Sequence, residues 1–227
     1  LIVADDLGFN NITFYGGGIA HGSVPTPNID SIAAGGIHFT NGYAGNGTCA
    51  PSRAALLTGR FATRSGFEFT PVGVSFSRLT FGDSFISENA VNYPQRETLG
   101  LPHSELTLPE LLGTRGYHSV ALGKWHLGEN PAGPLQQGFD VQVPHWNKGW
   151  PKAGYHAPTK LVGLDDQPGD YLTDRLTDEA IKFIEQNQDK PFFLYLSHFA
   201  VHDPIQGRDD LVDKYKTQNN SPRDSQE

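Results

Sequence analysis

The chain has 227 residues, of which 37% are hydrophobic and 11% aromatic, so it can bury a core, and disorder or a coiled coil is excluded for the whole. Its 17 basic and 25 acidic residues give a formal charge of −8, which argues against a general nucleic-acid-binding protein but allows a locally positive site for an anion. The single Cys excludes an internal disulfide framework or a Cys-rich zinc site, and no apolar run approaches the roughly 20 residues that span a bilayer.

The first predicted element is a buried strand over Leu1 to Ala4. Asp5 and Asp6 follow it, at the edge where open α/β sheets bind ligands. Two adjacent carboxylates repel each other, and a hard cation such as Ca²⁺ or Mg²⁺ relieves that repulsion. On position alone, a turn or a helix cap formed by these aspartates is the alternative.

Three further elements are predicted before residue 60. Pro27 to Ala34 is typical of a short helix, and Ile37 to Tyr43, with its β-branched and aromatic residues, predicts a strand. Pro51 to Thr58 predicts a second helix. Cys49 stands before that helix and Arg53 in its first turn, where free N–H groups and the helix dipole favour a thiolate or a bound anion. The alternative for Cys49 is a packed core residue.

The middle of the chain begins with residues 71–104, whose weak periodicity predicts a long irregular excursion. Thr107 to Glu110 then fits a capping box at the start of a helix that ends near Gly116. Tyr117 to Leu122 predicts a strand. Lys124 and His126 follow it and, taken alone, are also consistent with an exposed strand end.

The last predicted elements complete an alternating pattern. Pro144 to Pro158 is rich in Gly and aromatic residues and is a candidate lining of a substrate pocket. Asp170 to Gln188 has apolar residues at helical spacing, and Pro191 to Leu196 is an apolar run typical of a strand buried on both faces. Strands that alternate with helices predict an α/β fold with a mixed, largely parallel central sheet flanked by helices.

Two long motifs resemble the signatures of the type I sulfatases, formylglycine-dependent enzymes of the alkaline phosphatase superfamily. The first signature is matched by Cys49 to Gly59 (Cys-x-Pro-Ser-Arg, then Leu-Thr-Gly) and the second by Gly116 to His126. The resemblance extends to Asp5-Asp6, to the run from Pro25 to Asp30, and to His202 with Pro204. The pattern is most similar to the arylsulfatase and N-acetylgalactosamine-6-sulfatase branch.

The resemblance implies a catalytic centre at the first signature. Cys49 would be oxidised by a formylglycine-generating enzyme to formylglycine, whose hydrated aldehyde attacks a sulfate monoester. Ca²⁺ would be bound by Asp5, Asp6 and the modified Cys49. Arg53 would hold the hydrate.

The resemblance implies three further roles in the reaction. Lys124 and His126 would contact the sulfate and the formylglycine. His202 would face the leaving group, and the nearby His198 is the alternative for that role.

The resemblance also implies that the chain is part of a larger enzyme. The chain lacks Met, and the Asp-Asn pair that completes the family's metal site does not follow His202. We therefore expect residues 1–227 to be a partial N-terminal sulfatase catalytic domain, truncated at both ends, that alone binds Ca²⁺ weakly and is inactive. Such enzymes are commonly exported, so the bacterial periplasm, secretion or a lysosome is expected.

The expected substrate is a small-molecule or oligosaccharide sulfate ester, with no nucleic acid involved and no membrane span in this segment. Two alternatives stay open at this point. One is a phosphonate monoester or phosphodiester hydrolase of the same superfamily, since those enzymes can share the Cys-x-Pro-x-Arg motif. The other is a catalytically dead homologue that binds sulfated glycans.

Overall fold

The computed structural model describes residues 1–68, 70 and 100–218. Its strands are β1 (Ile2–Val3), β2 (His118–Gly123), β3 (Val141–Val143) and β4 (Phe192–Ser197). Its helices are α1 (Ile19–Gly22), α2 (Pro27–Gly35), α3 (Cys49–Thr58), α4 (Ala62–Ser65), α5 (Leu108–Gly113), α6 (Leu172–Gln186) and α7 (Asp209–Gln218). Short 3₁₀ turns lie at Phe9–Asn11, Thr13–Tyr15 and Pro134–Gln137. Most of the predicted excursion over 71–104 lies outside the described residues.

The four described strands form one sheet in the order β1-β4-β2-β3, and every neighbouring pair is parallel. The α/β prediction is confirmed, and this part of the sheet is wholly parallel. In the register, Leu122 pairs with Leu196 on one side and with Val143 on the other. The carboxyl ends of the strands are therefore aligned, and the residues that follow them emerge at one edge.

The helices at residues 107 and 170 follow their sequence signals. The capping box is present, because the Thr107 N–H donates to Glu110 Oε2 (2.7 Å) and the Glu110 N–H donates to Thr107 Oγ1 (3.4 Å). The helix ends at Gly113, a little before the predicted Gly116. Helix α6 buries one face, formed by Leu172, Leu176, Ala180 and Phe183.

The predicted strand over Ile37 to Tyr43 is wrong. These residues form no strand, and the side chains of Ile37, Phe39 and Tyr43 are 80–86% exposed. β-Branched and aromatic residues favour a strand only when a neighbouring strand and a packed face are available, and no described strand pairs with this segment. Strand β3 is present although the sequence analysis did not predict it, because its three residues are too few to give a periodic hydrophobic signal.

The chain divides into two compact units, and the sheet lies in the first, which comprises Leu1–Asp5 and Ala44–Phe199. Its core contains an aromatic group in which Phe139 meets Trp125 edge-on and stacks on Tyr195. No helix in the described part of the chain is long and apolar enough to cross a membrane.

The second unit comprises Asp6–Tyr43 and the chain from Ala200 onward. The side chain of Asp30 organises its first half, since it accepts hydrogen bonds from Thr13 Oγ1 (2.6 Å), Thr26 Oγ1 (2.8 Å) and the Phe14 N–H (3.0 Å). The hydrogen bond from Thr13, with those from Thr26 and Phe14, outweighs the small effect of burial and lowers the pKa of Asp30. The run from Pro25 to Asp30 thus has a structural role within this unit.

Candidate active site

Helix α3 carries Cys49 as its first residue and Arg53 one turn later, so the helix begins earlier than predicted. Gly59 ends the helix in the left-handed region (φ 68°), and its N–H donates to the Ala55 carbonyl at 2.9 Å. Ala54 and Leu57 are fully buried in the core and fix the helix against the sheet. The rigid helix therefore holds Cys49 and Arg53 on the side that meets the strand ends.

The end of β2 presents Lys124 and His126 at the same edge. Gly123 adopts φ 93°, and a Cβ there would overlap the carbonyl oxygen of Ser197, so the strand can turn only with glycine at this position. The Lys124 N–H donates to that carbonyl at 2.8 Å. Trp125 is buried, and its indole N–H donates to the Ala132 carbonyl (2.8 Å), which anchors the turn to the core.

The charged side chains at this edge form a buried cluster. Arg53 Nη2 donates to Asp5 Oδ1 at 2.9 Å, and Lys124 Nζ donates to Asp5 Oδ2. All three side chains are 5% exposed or less. One carboxylate thus faces two cations away from water, and the cluster has an excess of positive charge.

The pKa values in this cluster reflect burial and mutual attraction. Burial alone would raise the pKa of Asp5, but the charges of Arg53 and Lys124 outweigh it and lower the pKa. Burial lowers the pKa of Lys124, against the opposing attraction of Asp5. Burial would also lower the pKa of Arg53, but its interactions with Tyr195 and Asp5 prevail and raise the pKa. Asp5 and Arg53 therefore stay ionised at neutral pH.

Strand β4 supplies two partners of Arg53 that the sequence analysis did not predict. Arg53 Nη1 donates to Tyr195 Oη (3.1 Å), to the Lys124 carbonyl (3.1 Å) and to Ser197 Oγ. Tyr195 and Ser197 are buried and stand two residues apart, so they share one face of the strand. Arg53 Nε has no hydrogen-bond partner among the described residues.

Cys49 Sγ lies 3.2 Å from His126 Nδ1. The imidazole is buried, the backbone of His126 is left-handed (φ 61°), and its N–H donates to the Asn147 carbonyl at 3.1 Å. The first unit therefore brings together Asp5, Cys49, Arg53, Lys124 and His126, all of which the sequence analysis proposed.

The remaining two predicted residues, Asp6 and His202, lie in the second unit. His202 Nε2 is 3.8 Å from Asp6 Oδ2, and Asp6 is more than half exposed. The alternative histidine, His198, lies in the first unit with Nδ1 buried and without a hydrogen-bond partner in the described part of the chain. Burial lowers the pKa of His198, although Asp174 opposes the shift, so its imidazole is neutral at pH 7.

The oxygen donors suit a hard cation such as Ca²⁺. Each carboxylate oxygen of Asp5 accepts one hydrogen bond from a cationic side chain, so each oxygen keeps a lone pair that can bind a metal ion. Asp6, the next residue in the chain, offers a second carboxylate. The Cys49 thiol is a soft donor and suits Ca²⁺ poorly unless an oxygen replaces the sulfur. Two aspartates fall short of the roughly six to eight oxygen ligands of Ca²⁺.

Gly149 backs the imidazole of His126, because a Cβ at Gly149 would overlap the ring atoms Cε1, Nδ1 and Nε2. We expect Gly149→Ala to push the imidazole away from the Cys49 thiol. In protein produced without formylglycine formation, iodoacetamide alkylation of Cys49 at pH 7 should slow by about tenfold, because the thiol loses the neighbouring nitrogen that can accept its proton as it attacks. The rate is measured by mass spectrometry of the Cys49 peptide.

Gly113→Ala is the matched control for this variant, since no atom lies within 4 Å of a Cβ at Gly113. Its alkylation rate should equal that of the wild type. Equal rates in wild type and Gly149→Ala would show that Gly149 does not position His126.

Comparisons with known proteins indicate the family of the chain. The sulfatase family model matches residues 1–226. Human N-acetylgalactosamine-6-sulfatase is 37% identical over 223 residues, which cover 90% of this chain and 39% of that protein. The crystal structure of Ps i-CgsB in complex with k-i-k-neocarrahexaose has a TM-score of 0.74 and 29% identity, over 99% of this chain and 49% of that one.

A second solved structure is BT4656 in complex with its substrate D-glucosamine-2-N,6-O-disulfate. It has a TM-score of 0.68 and 27% identity, and the match covers 96% of this chain and 37% of that one. The chain therefore spans less than half the length of each of these proteins.

Proposed function

The chain belongs to the sulfatase family, and from this membership we propose that the protein hydrolyses sulfate monoesters. The observation that carries the proposal is the pairing of Cys49 with His126 beside the buried cluster of Asp5, Arg53 and Lys124. A position for a nucleophile, a proton carrier and an excess of positive charge are thus brought to one edge of a parallel sheet. Such edges are where α/β folds bind ligands.

The charges suit a sulfate ester. Negative charge builds up on the sulfate oxygens and on the leaving oxygen during transfer, and cations that are already fixed in place stabilise it most effectively. Lys124 and Arg53 are fixed by Asp5, and Tyr195 and Ser197 fix Arg53 further. The Arg53 Nε–H is buried and has no hydrogen-bond partner among the described residues, so Arg53 contributes to the site through its positive charge.

We assign Cys49 as the residue that a formylglycine-generating enzyme converts. Formylglycine would supply a hydrated aldehyde, whose one hydroxyl attacks sulfur and whose second hydroxyl allows the aldehyde to re-form. His126 Nδ1, 3.2 Å from Sγ, is in position to take a proton from a group at this carbon. Gly149 packs against its ring, and the backbone N–H of His126 donates to the Asn147 carbonyl, so the proton acceptor is pre-positioned.

Ca²⁺ would be held by Asp5, Asp6 and the converted Cys49, and it would add Lewis-acid stabilisation of the sulfate charge. His202 is our candidate for protonation of the leaving alcohol, with His198 as the alternative. The neutral imidazole of His198 at pH 7 is a poor acid, which favours His202.

Sulfated saccharides are the proposed substrate class. Among the structural neighbours, the BT4656 complex contains a disulfated glucosamine and the Ps i-CgsB complex contains a hexasaccharide. The human relative is a sulfatase of N-acetylgalactosamine. A sugar sulfate is also consistent with the excess positive charge of the buried cluster.

The test uses the full-length protein produced together with a formylglycine-generating enzyme. Mass spectrometry of the Cys49 peptide should show conversion, and 4-nitrophenyl sulfate should be hydrolysed faster than 4-nitrophenyl phenylphosphonate. EDTA should remove the activity, and Ca²⁺ should restore it. Faster turnover of the phosphonate would support the phosphonate hydrolase alternative. Conversion without turnover of any ester would support a binding protein.

A further inference from the structure

We propose that Trp146, Trp150 and Lys152 form a subsite that binds a second anionic sugar unit of the substrate, beside the sulfate ester. The proposal rests on the proposed function and extends it from the reacting sulfate to the saccharide around it. We call these three residues the aromatic–lysine platform. They lie in the segment 144–160, which directly follows β3.

The segment is in contact with the proposed catalytic residues. Gly149 lies against the imidazole ring of His126, and the Asn147 carbonyl accepts the His126 N–H at 3.1 Å. Trp150 is the next residue after Gly149. The platform therefore begins one residue away from a position that contacts His126.

Segment 144–160 carries a net positive charge, although the chain as a whole is acidic. Residues 144–160 contain three lysines and no carboxylate, in a chain with a formal charge of −8. Lys148 is paired with Glu129 at 2.6 Å, but Lys152 is exposed and forms no ion pair with any described residue. Lys160 is likewise exposed without an ion pair to a described residue, but it is Lys152 that lies beside Trp146, so Lys152 is the cation placed to take up an anion at the platform.

The Trp146 side chain and the backbone of the segment are held in place. The Trp146 indole N–H donates to the Trp150 carbonyl at 2.7 Å, and Lys152 Nζ lies 5.5 Å from the Trp146 ring centroid. Gln142 Nε2 fixes the base of the segment through Asn147 Oδ1 (2.7 Å) and the Pro144 carbonyl (3.0 Å). A binding surface held in this way loses little conformational entropy when a ligand binds.

The exposed indole of Trp150 together with the charge of Lys152 favours an anionic sugar as the ligand. Trp150 is 42% exposed, and an exposed indole offers a flat apolar face on which the C–H face of a sugar ring can pack. Lys152 adds a positive charge for a second sulfate or a carboxylate on that sugar. A small aryl sulfate has a single anionic group, which the catalytic cluster binds, and no second unit that extends to the platform.

The test compares two substrates of the full-length, converted protein: a chondroitin 6-sulfate tetrasaccharide and 4-nitrophenyl sulfate. Trp150→Ala and Lys152→Ala should each lower kcat/KM for the tetrasaccharide by about tenfold, mainly through KM, and change it less than about twofold for 4-nitrophenyl sulfate. Trp150→Phe should recover most of the loss. Lys190→Ala, an exposed lysine outside the segment, is the matched control and should change neither substrate.

A binding experiment separates this proposal from the proposed function. Two of the three tryptophans of the chain belong to the platform, so titration of the unconverted protein with the tetrasaccharide should change its tryptophan fluorescence. Binding that is lost in Lys152→Ala, without hydrolysis of any sulfate ester, would support the subsite and contradict the proposed function. Equal losses on both substrates, or unchanged tetrasaccharide turnover in both platform variants, would overturn the subsite.

Discussion

Replacing Cys49 by alanine in the full-length protein should lower the turnover of 4-nitrophenyl sulfate by at least about a thousandfold, because loss of a covalent nucleophile removes most of the rate enhancement. The measurement is kcat after co-production with the formylglycine-generating enzyme. The fold should survive, since Cys49 is only half-buried and the core side of α3 is formed by Ala54 and Leu57. The temperature of unfolding of Cys49→Ala should therefore be close to that of the wild type.

Cys49→Ser tests whether the nucleophile is a hydrated aldehyde. A serine places one hydroxyl at the position of the thiol, but it cannot carry two hydroxyl groups on one carbon. If the hydrate is the nucleophile, Cys49→Ser should be as inactive as Cys49→Ala. Multiple turnover by Cys49→Ser, or by protein in which Cys49 is still a thiol, would contradict the assignment of Cys49 as a formylglycine precursor.

The parts of the fold that the sequence predicted are those with a local physical cause. The Thr107–Glu110 capping box depends on two residues three apart, and it is present. The helix over 170–188 depends on apolar spacing, and α6 occupies Leu172–Gln186. The strand at Ile37 to Tyr43 failed because a strand needs a partner, and a propensity in the sequence does not supply one.

In the candidate site, too, local spacing was predictable from the sequence and contacts between distant elements were not. Cys49 and Arg53 stand four apart, so a helix places them on one side, and Lys124 and His126 follow a predicted strand. Their convergence with Asp5 depends on the register of parallel strands, which brings the ends of β1, β2 and β4 to one edge. The sequence predicted an α/β sheet but could not fix that register.

The residues that support the site were missed because their contacts are distant in sequence. Tyr195 and Ser197 lie 142 and 144 residues from Arg53 along the chain, and the apolar run around them predicted only a buried strand. The polar side chains two apart on one face of that strand were an available signal. Gly149 gave no such signal, because its role is the space left free for the His126 ring.

Asp5→Asn should produce the largest loss of stability in the site. The substitution leaves Arg53 and Lys124 buried without a carboxylate, and loss of one partner of a buried ion pair typically costs about 3–5 kcal/mol. The free energy of unfolding is measured by urea titration of the full-length protein. EDTA is present throughout, so that the loss of a bound metal ion does not contribute to the difference.

Asp6→Asn is the matched control, because Asp6 is the neighbouring aspartate and is 59% exposed. Its effect on the free energy of unfolding should stay within about 0.5 kcal/mol, as expected for an exposed position. Asp5→Asn combined with Lys124→Met should recover part of the lost stability, because only Arg53 then lacks a partner. Equal and small effects of Asp5→Asn and Asp6→Asn would show that the buried cluster is not an ion-pair network, and the electrostatic argument for anion binding would fail with it.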